Sequence, residues 1–262
     1  VGSRRPTVLV ARKRIDGRMR MIGALPLAPS TRLGAFGPAR AWRDPLMALG
    51  APLLDRDYAV EAFSAFLGWV GEIRPYATGL ALHMTPRTGA AATAMRHAAH
   101  ARAVDFVEFE DGARAALLAG ADLDQMVSSS RRKQMRRMAR KLAERGKVET
   151  RIVSGADVEQ EMETFFTLEA SGWKGRRRTA LASSIRTLAL ARGFLRGLSR
   201  EGRVKIASLD LDGAPVAAAV LVYSGGTAFY WKIAYDESFS DYSPGALLMM
   251  ELSRLLLADP DF

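Results

Sequence analysis

The second half of the chain shows the clearest alternation of apolar and polar positions. Apolar residues at every second position predict strands, and apolar residues three and four positions apart predict helices. The predicted strands are 148–153, 204–211, 214–222 and 227–234, and the predicted helices are 158–171, 183–199 and 246–257. The segment 214–222 is almost wholly apolar, which is typical of a buried central strand. Asp212-Gly213, just before it, favours a tight hairpin turn.

The first half contains a similar set of elements in a less regular pattern. The predicted strands are 7–13, 19–27, 79–84 and 104–109, and the predicted helices are 58–73 and 89–102. Together the two halves predict a mixed α/β protein. We expect an N-terminal half over 1–121, a linker helix over 122–146, and a C-terminal half over 147–262.

The helix over 122–146 carries most of the net charge. The 262 residues include 38 Lys and Arg against 28 Asp and Glu, a net charge of +10. Nine basic residues and one acid lie between 127 and 148, a local net charge of +8. A second cluster, Lys174 with Arg176, Arg177 and Arg178, adds +4. The rest of the chain is therefore close to neutral, which excludes a uniformly basic, histone-like binder.

Three interpretations of the basic helix stay open. It can be a solvated face above a buried seam of Met135, Met138 and Leu142. It can be an electrostatic platform for an anionic donor or acceptor. Duplex nucleic-acid binding is the third, and it is disfavoured because no aromatic residues lie among the arginines.

Missing residue types exclude several chemistries. The chain has no cysteine, so disulfides, zinc fingers, iron–sulfur clusters and a cysteine nucleophile are excluded together. The three histidines do not occur at a metal-ligand spacing, and we expect no bound metal. Apolar runs stay below the roughly 18 residues of a membrane span. We therefore expect a cytoplasmic protein without a transmembrane segment.

The best candidate for chemistry is the sequence that opens the last predicted helix. Ser243 is a favoured N-cap, Pro244 suits the first helical position, and Gly245 permits close approach to the backbone. Free amides and the positive end of the helix dipole make such a start a ready anion site. The alternative is a capped core helix that binds no ligand.

Several short motifs, in this order and spacing, resemble one group of transferases. They are Ser129-Ser130-Arg131, Leu168-Glu169, Gly172-Trp173-Lys174-Gly175, Thr179-Ala180-Leu181, Asp212-Gly213, Pro215-Val216-Ala217, Lys232-Ile233-Ala234-Tyr235-Asp236 and Ser243-Pro244-Gly245. The second half of the chain thereby resembles the GNAT-superfamily acyltransferases related to bacterial cellulose biosynthesis, the CelD/BcsL group. That group is similar to FemAB-type transferases.

The resemblance implies a GNAT-like fold, with two GNAT-like halves as in FemAB proteins, and an acyl-CoA donor, usually acetyl-CoA. It assigns the donor phosphates to the start of the last helix and the pantetheine arm to the edge of the preceding strand. The phosphate residues are Ser243, Pro244, Gly245 and Ala246, and the strand-edge residues are Lys232, Ile233 and Ala234. GNAT proteins have further strands after this helix that complete the acyl slot, whereas this sequence stops at Phe262.

Acyl transfer needs a base for the acceptor and an acid for the departing thiolate. Tyr235 and Asp236 follow the donor strand and are candidates, although Asp236 and Glu237 can equally start a turn. Glu169 is the other candidate, because on a continuous helix it shares a face with Trp173. That pair indicates either acceptor binding or simple packing.

The basic clusters supply candidate substrate-binding residues: Trp173, Lys174, Arg131 and Arg132. We expect an acyltransferase that moves an acetyl or acyl group from acyl-CoA to an amine or hydroxyl of a small-molecule, carbohydrate or envelope acceptor. The alternatives are a FemAB-like aminoacyl transferase that uses aminoacyl-tRNA and a catalytically inactive GNAT-fold binding subunit.

Overall fold

The computed structural model describes residues 6–29, 37–73, 77–109 and 112–259. The chain separates into two compact units, Val1–Arg114 and Ala115–Phe262. Both contain helices and sheets, so the predicted mixed α/β class is confirmed. Within the described ranges, every helix is too short or too polar to cross a membrane.

The first unit is built on an antiparallel hairpin. Its strands are β1 (Thr7–Ile15), β2 (Arg18–Leu27), β3 (Ala39–Arg40), β4 (Leu53–Leu54) and β5 (Leu80–Ala81), and its helices are α1 (Ala59–Ile73) and α2 (Ala90–Ala101). Three strands pair in the order β1-β2-β4, and β3 pairs with β5 in parallel. Leu25, Phe66 and Met95 lie in a core that joins the hairpin to both helices.

The predicted strand over 104–109 is wrong. The segment forms no ladder with any described residue, and its apolar side chains are exposed. Other contacts replace the ladder: the Arg96 guanidinium lies 5.2 Å from the centre of the Phe106 ring, and the Phe109 ring contacts His83. Alternation alone predicts a strand, but a strand also needs a neighbour that is free to pair.

The second unit is a four-stranded antiparallel sheet between helices. Its strands are β6 (Val148–Ser154), β7 (Val204–Leu211), β8 (Ala214–Ser224) and β9 (Thr227–Tyr235), in spatial order β6-β7-β8-β9. Its α-helices are α3 (Leu123–Met126), α4 (Ser129–Ala143), α5 (Val158–Ser171), α6 (Trp173–Arg176), α7 (Ile185–Arg200) and α8 (Pro244–Ala258). Short 3-10 helices cover Gly155–Asp157, Leu181–Ser183 and Glu237–Tyr242.

The two faces of this sheet bury different helices. On one face, Leu142 of α4 and Leu248 and Leu252 of α8 pack against apolar residues of β7 and β8. Successive side chains point to opposite faces, and the alternate residues of these strands meet α5 and α7. Helix α4 is therefore part of the second unit's core. Of the predicted seam of Met135, Met138 and Leu142, Met135 and Leu142 are buried and Met138 is half-buried.

The predicted strands of this unit and their hairpin are confirmed. Asp212 and Gly213 both have positive φ, 50° and 81°, as the tight turn between β7 and β8 requires. The exposed Arg151 of β6 also bonds to the next strand and to α5. Its Nε donates to Oδ2 of the buried Asp210 at 2.6 Å, and its Nη1 donates to Glu161 of α5 at 2.9 Å. These hydrogen bonds, to Asp210 above all, raise the pKa of Arg151 further above its ordinary value.

Candidate functional site

The corner between β9 and α8 differs from the capped helix start that its sequence predicts. Ser243 precedes the helix with left-handed φ and ψ of 51° and 50°, and its hydroxyl makes no capping hydrogen bond. The predicted side-chain cap is therefore wrong. Its backbone carbonyl acts instead, accepting from the amides of Ala246 at 3.0 Å and Leu247 at 3.1 Å.

These bonds leave one first-turn amide available. The Ser243 amide donates to the Ser240 carbonyl, and Pro244 has no N–H. Among the described residues, the Gly245 amide finds no acceptor. This single N–H and the positive end of the helix dipole can together attract an anion.

Gly245 also lies directly above β9. A Cβ at this position would be 3.0 Å from Cδ1 of Ile233 and 3.7 Å from Cδ1 of Tyr235. The glycine therefore lets the start of α8 pack closely on the side chains at the end of the strand. Tyr235 packs against the apolar core beneath α8.

At the end of β9, the backbone N–H and C=O groups of successive residues point alternately toward β8 and toward the open side of β9, which is the outer edge of this four-stranded sheet. The Asp236 amide donates to the Val216 carbonyl, and Ala234 and Lys232 follow in the same register. In an antiparallel ladder these residues turn their amide and carbonyl groups toward β8, and the residues between them turn theirs away. Of Lys232, Ile233 and Ala234, it is therefore Ile233 whose backbone faces the open side.

A lysine from α6 occupies that open side. Lys174 Nζ donates to the Ile233 carbonyl at 2.5 Å and to Glu169 Oε1 at 3.2 Å. The Glu169 side chain is 0% exposed, and its Oε2 accepts from the Leu181 amide at 2.7 Å. Through this one carboxylate, the end of α5, helix α6 and the Leu181 turn are fixed against the edge of β9. We call Glu169, Lys174 and the Ile233 carbonyl the edge clasp.

The predicted shared helical face of Glu169 and Trp173 is wrong. Helix α5 ends at Ser171, and Gly172 has extended backbone dihedrals of −88° and −166°. This break separates the buried Glu169 from Trp173, which is 40% exposed. The Trp173 ring nonetheless lies close to two cations: Lys174 Nζ and the Arg177 guanidinium are 5.9 and 5.4 Å from its centre.

Glu237, which the sequence predicts only as the start of a turn, connects this turn to α6. Its Oε1 accepts from the Trp173 amide at 2.7 Å, and its Oε2 accepts from Arg176 at 2.5 Å. The Arg176 hydrogen bond is the largest influence on Glu237 and holds its pKa below the ordinary value. No local pattern marks Glu237, because its partners are more than sixty positions away in the sequence.

The neighbouring Asp236 has a structural role in the turn. Its Oδ1 accepts from the amide and the hydroxyl of Ser238, at 2.9 and 2.8 Å, and so caps the 3-10 helix Glu237–Tyr242. The connection from β9 to α8 is for this reason mostly a 3-10 helix. The catalytic role of Asp236 stays a prediction.

The two candidate arginines of α4 have partners near the start of that helix. Arg131 donates to Gln134 Oε1 at 2.8 Å, and its backbone amide is capped by the Ser128 hydroxyl. Arg132 pairs with Asp124 at 3.2 Å and donates to the carbonyls of Asp124 and Val127. Helix α4 packs against both the 3-10 helix Glu237–Tyr242 and α8. The two basic clusters therefore flank the connection from β9 to α8.

A comparison with known protein families identifies the segment that contains this corner. A family model for the acetyltransferase (GNAT) domain matches residues 129–260, from the start of α4 through α8. The chain belongs to the GNAT acetyltransferase family, whose members generally take their acyl group from acyl-CoA. No curated protein sequence matches the chain. Within the described part of the chain, no three His, Cys, Asp or Glu side chains are grouped as a metal site would require.

Proposed function

We propose that the protein transfers an acetyl or other acyl group from acyl-CoA to an amine or hydroxyl of a carbohydrate-related or envelope acceptor, as its resemblance to the CelD/BcsL group implies. The observation that carries the proposal is the corner between β9 and α8. There, the outward-facing amide of Ile233 lies on the element next to the Gly245 amide, which finds no acceptor among the described residues.

The donor would extend along this corner. Its phosphates would lie at the start of α8, near Ser243, Pro244, Gly245 and Ala246, where the helix dipole favours negative charge. Its pantetheine arm would follow β9 at Lys232, Ile233 and Ala234. Ile233 alone of these three turns its backbone outward, and its carbonyl already accepts from Lys174. The Ile233 amide is therefore the group we expect to pair with the arm.

The acceptor would approach from the side of α6. Trp173 and Lys174 border the open side of β9, and Arg131 and Arg132 stand at the start of α4. Tyr235 and Asp236 are the candidates that touch the reacting atoms, and proton removal from the acceptor is their proposed task. Glu169 is fully buried and bonded to Lys174, so it would act through that lysine as a positioning residue.

Calorimetric titration with acetyl-CoA and CoA tests the donor site. The informative variant is Ala246→Asp, which places a carboxylate in the first turn of α8. A carboxylate there favours the helix but repels phosphates, so loss of binding would not reflect unfolding. The matched control is Ser253→Asp, which makes the same charge change on the exposed side of the same helix.

We expect the wild type and Ser253→Asp to bind CoA alike and Ala246→Asp to bind at least tenfold more weakly. Equal binding by all three would exclude the start of α8 as the phosphate site. Absence of binding by the wild type would remove the proposed function. A screen of amine and hydroxyl acceptors, read by release of free thiol, then separates an enzyme from a binding subunit.

The aminoacyl-tRNA alternative has less support. The outward side of α4 carries cations, but that helix has no aromatic side chain on which a base could stack. Titration of tRNA against rising salt discriminates the two donors, since phosphate contacts give a steep salt dependence.

A further inference from the structure

The outward side of α4 carries basic side chains that have no acidic partner among the described residues. Six basic side chains on and just after the helix are exposed: Lys133, Arg136, Arg137, Arg140, Lys141 and Arg145. Their side chains make no hydrogen bond or ion pair with any residue in the described ranges. Elsewhere in the unit exposed arginines are commonly paired, as Arg192 is with Glu163 and Arg196 with Glu159.

These cations form a ridge opposite the buried seam of the same helix. The seam residues Met135 and Leu142 lie in the core, and the basic residues recur at spacings of three and four on the other side. From Lys133 to Lys141 the ridge is about 12 Å long. Because Met135 and Leu142 hold one side of α4 in the core, the helix cannot rotate to insert these apolar side chains into a partner. A partner of the ridge would therefore be held by its charge.

We propose that this ridge of α4 binds the anionic headgroups of a membrane surface. A convex row of cations can meet several headgroups of a flat layer at once. Single-stranded nucleic acid is typically held by aromatic side chains among the cations, and helix α4 has no aromatic residue. A cluster of several Lys and Arg side chains on an amphipathic helix is instead typical of binding to anionic headgroups. Duplex nucleic acid, which guanidinium groups also bind, is the competing partner in the test.

The charge predicts a binding strength that can be measured. Each Lys or Arg near an anionic surface strengthens binding about fivefold, and salt weakens the attraction by screening. The triple variant Arg136→Gln, Arg137→Gln, Arg140→Gln keeps good helix-forming residues. It should bind vesicles roughly 100-fold more weakly than the wild type. The matched control makes the same charge change at three exposed arginines outside α4: Arg18, Arg56 and Arg186.

Sedimentation with phosphatidylserine–phosphatidylcholine vesicles, against pure phosphatidylcholine vesicles, is the test. We expect the full chain to bind only the anionic vesicles, to dissociate at 0.5 M salt, and to lose binding in the α4 variant but not in the control. Equal loss in both variants, or no binding by the wild type, overturns the proposal. So does displacement from vesicles by a short RNA duplex at an equal concentration of phosphate, because the ridge would then prefer nucleic acid. Acetyl-CoA titration of the α4 variant tests the donor site separately.

Discussion

Replacing Lys174 with methionine tests whether the edge clasp holds the second unit together. The substitution removes the ammonium but keeps a flexible side chain of similar length. Glu169 is then left with a carboxylate that is 0% exposed and has one remaining donor, the Leu181 amide. Breaking a buried ion pair on one side costs about 3–5 kcal/mol. Because Lys174 is itself 20% exposed, water reaches part of the site and the lower end applies, about 3 kcal/mol.

Chemical denaturation and amide hydrogen exchange would measure this effect. The denaturation midpoint should fall with little change in slope, and the Leu181 amide should exchange faster because its acceptor is destabilised. The double variant Glu169→Gln, Lys174→Met removes the buried charge and should recover most of the loss. A cost below about 1 kcal/mol for Lys174→Met, or no recovery in the double variant, would refute the argument that the buried charge dominates.

Four further predictions concern the same unit. Gly175→Ala would place a Cβ 1.8 Å from a backbone carbonyl oxygen of α5, so its melting temperature should fall by an amount that reflects about 3 kcal/mol. Gly193→Ala, at an open position of α7, should instead stabilise the protein by about 0.5–1 kcal/mol. Ser243→Gly should be neutral or slightly stabilising in thermal unfolding, because the hydroxyl caps nothing and the left-handed backbone suits glycine; a clear loss would restore the capping role. Glu237→Gln should destabilise the protein at pH 7 but not at low pH: the folded pKa lies below the ordinary value of about 4.5, so the stabilisation exists above that value and is lost as pH falls through the folded pKa. Thermal melts of both forms from pH 7 to pH 3 would check this, and a gap that stays constant would count against it.

The elements of the second unit could be predicted because their signals are local. The apolar segment 214–222, the Asp212-Gly213 turn and the helix of residues 158–171 each carry their own pattern, and the structure has them at those positions. The segment 104–109 also carries a local pattern but is not a strand. A strand depends on a neighbour that its own sequence does not specify.

The contacts of the candidate site could not be predicted in the same way. Glu237 contacts Trp173 and Arg176, and Lys174 contacts Ile233. These pairs are 64, 61 and 59 positions apart in the sequence. The motif order indicated the GNAT superfamily, which the family model confirms. The residue type of Ser243 predicted a capping hydroxyl, which the left-handed backbone does not use. Backbone strain of this kind is set by packing around the corner and leaves no trace in residue type.

The strand order of the second sheet has a consequence for how the unit folds. β7, β8 and β9 follow one another through two turns of two residues, Asp212-Gly213 and Gly225-Gly226, so they can form early by local closure. β6 joins the same sheet only after a loop of roughly fifty residues has closed, which is entropically costly and slow. We therefore expect the bond from Arg151 to Asp210 to form late in folding. Weakening it should speed unfolding and leave the folding rate almost unchanged.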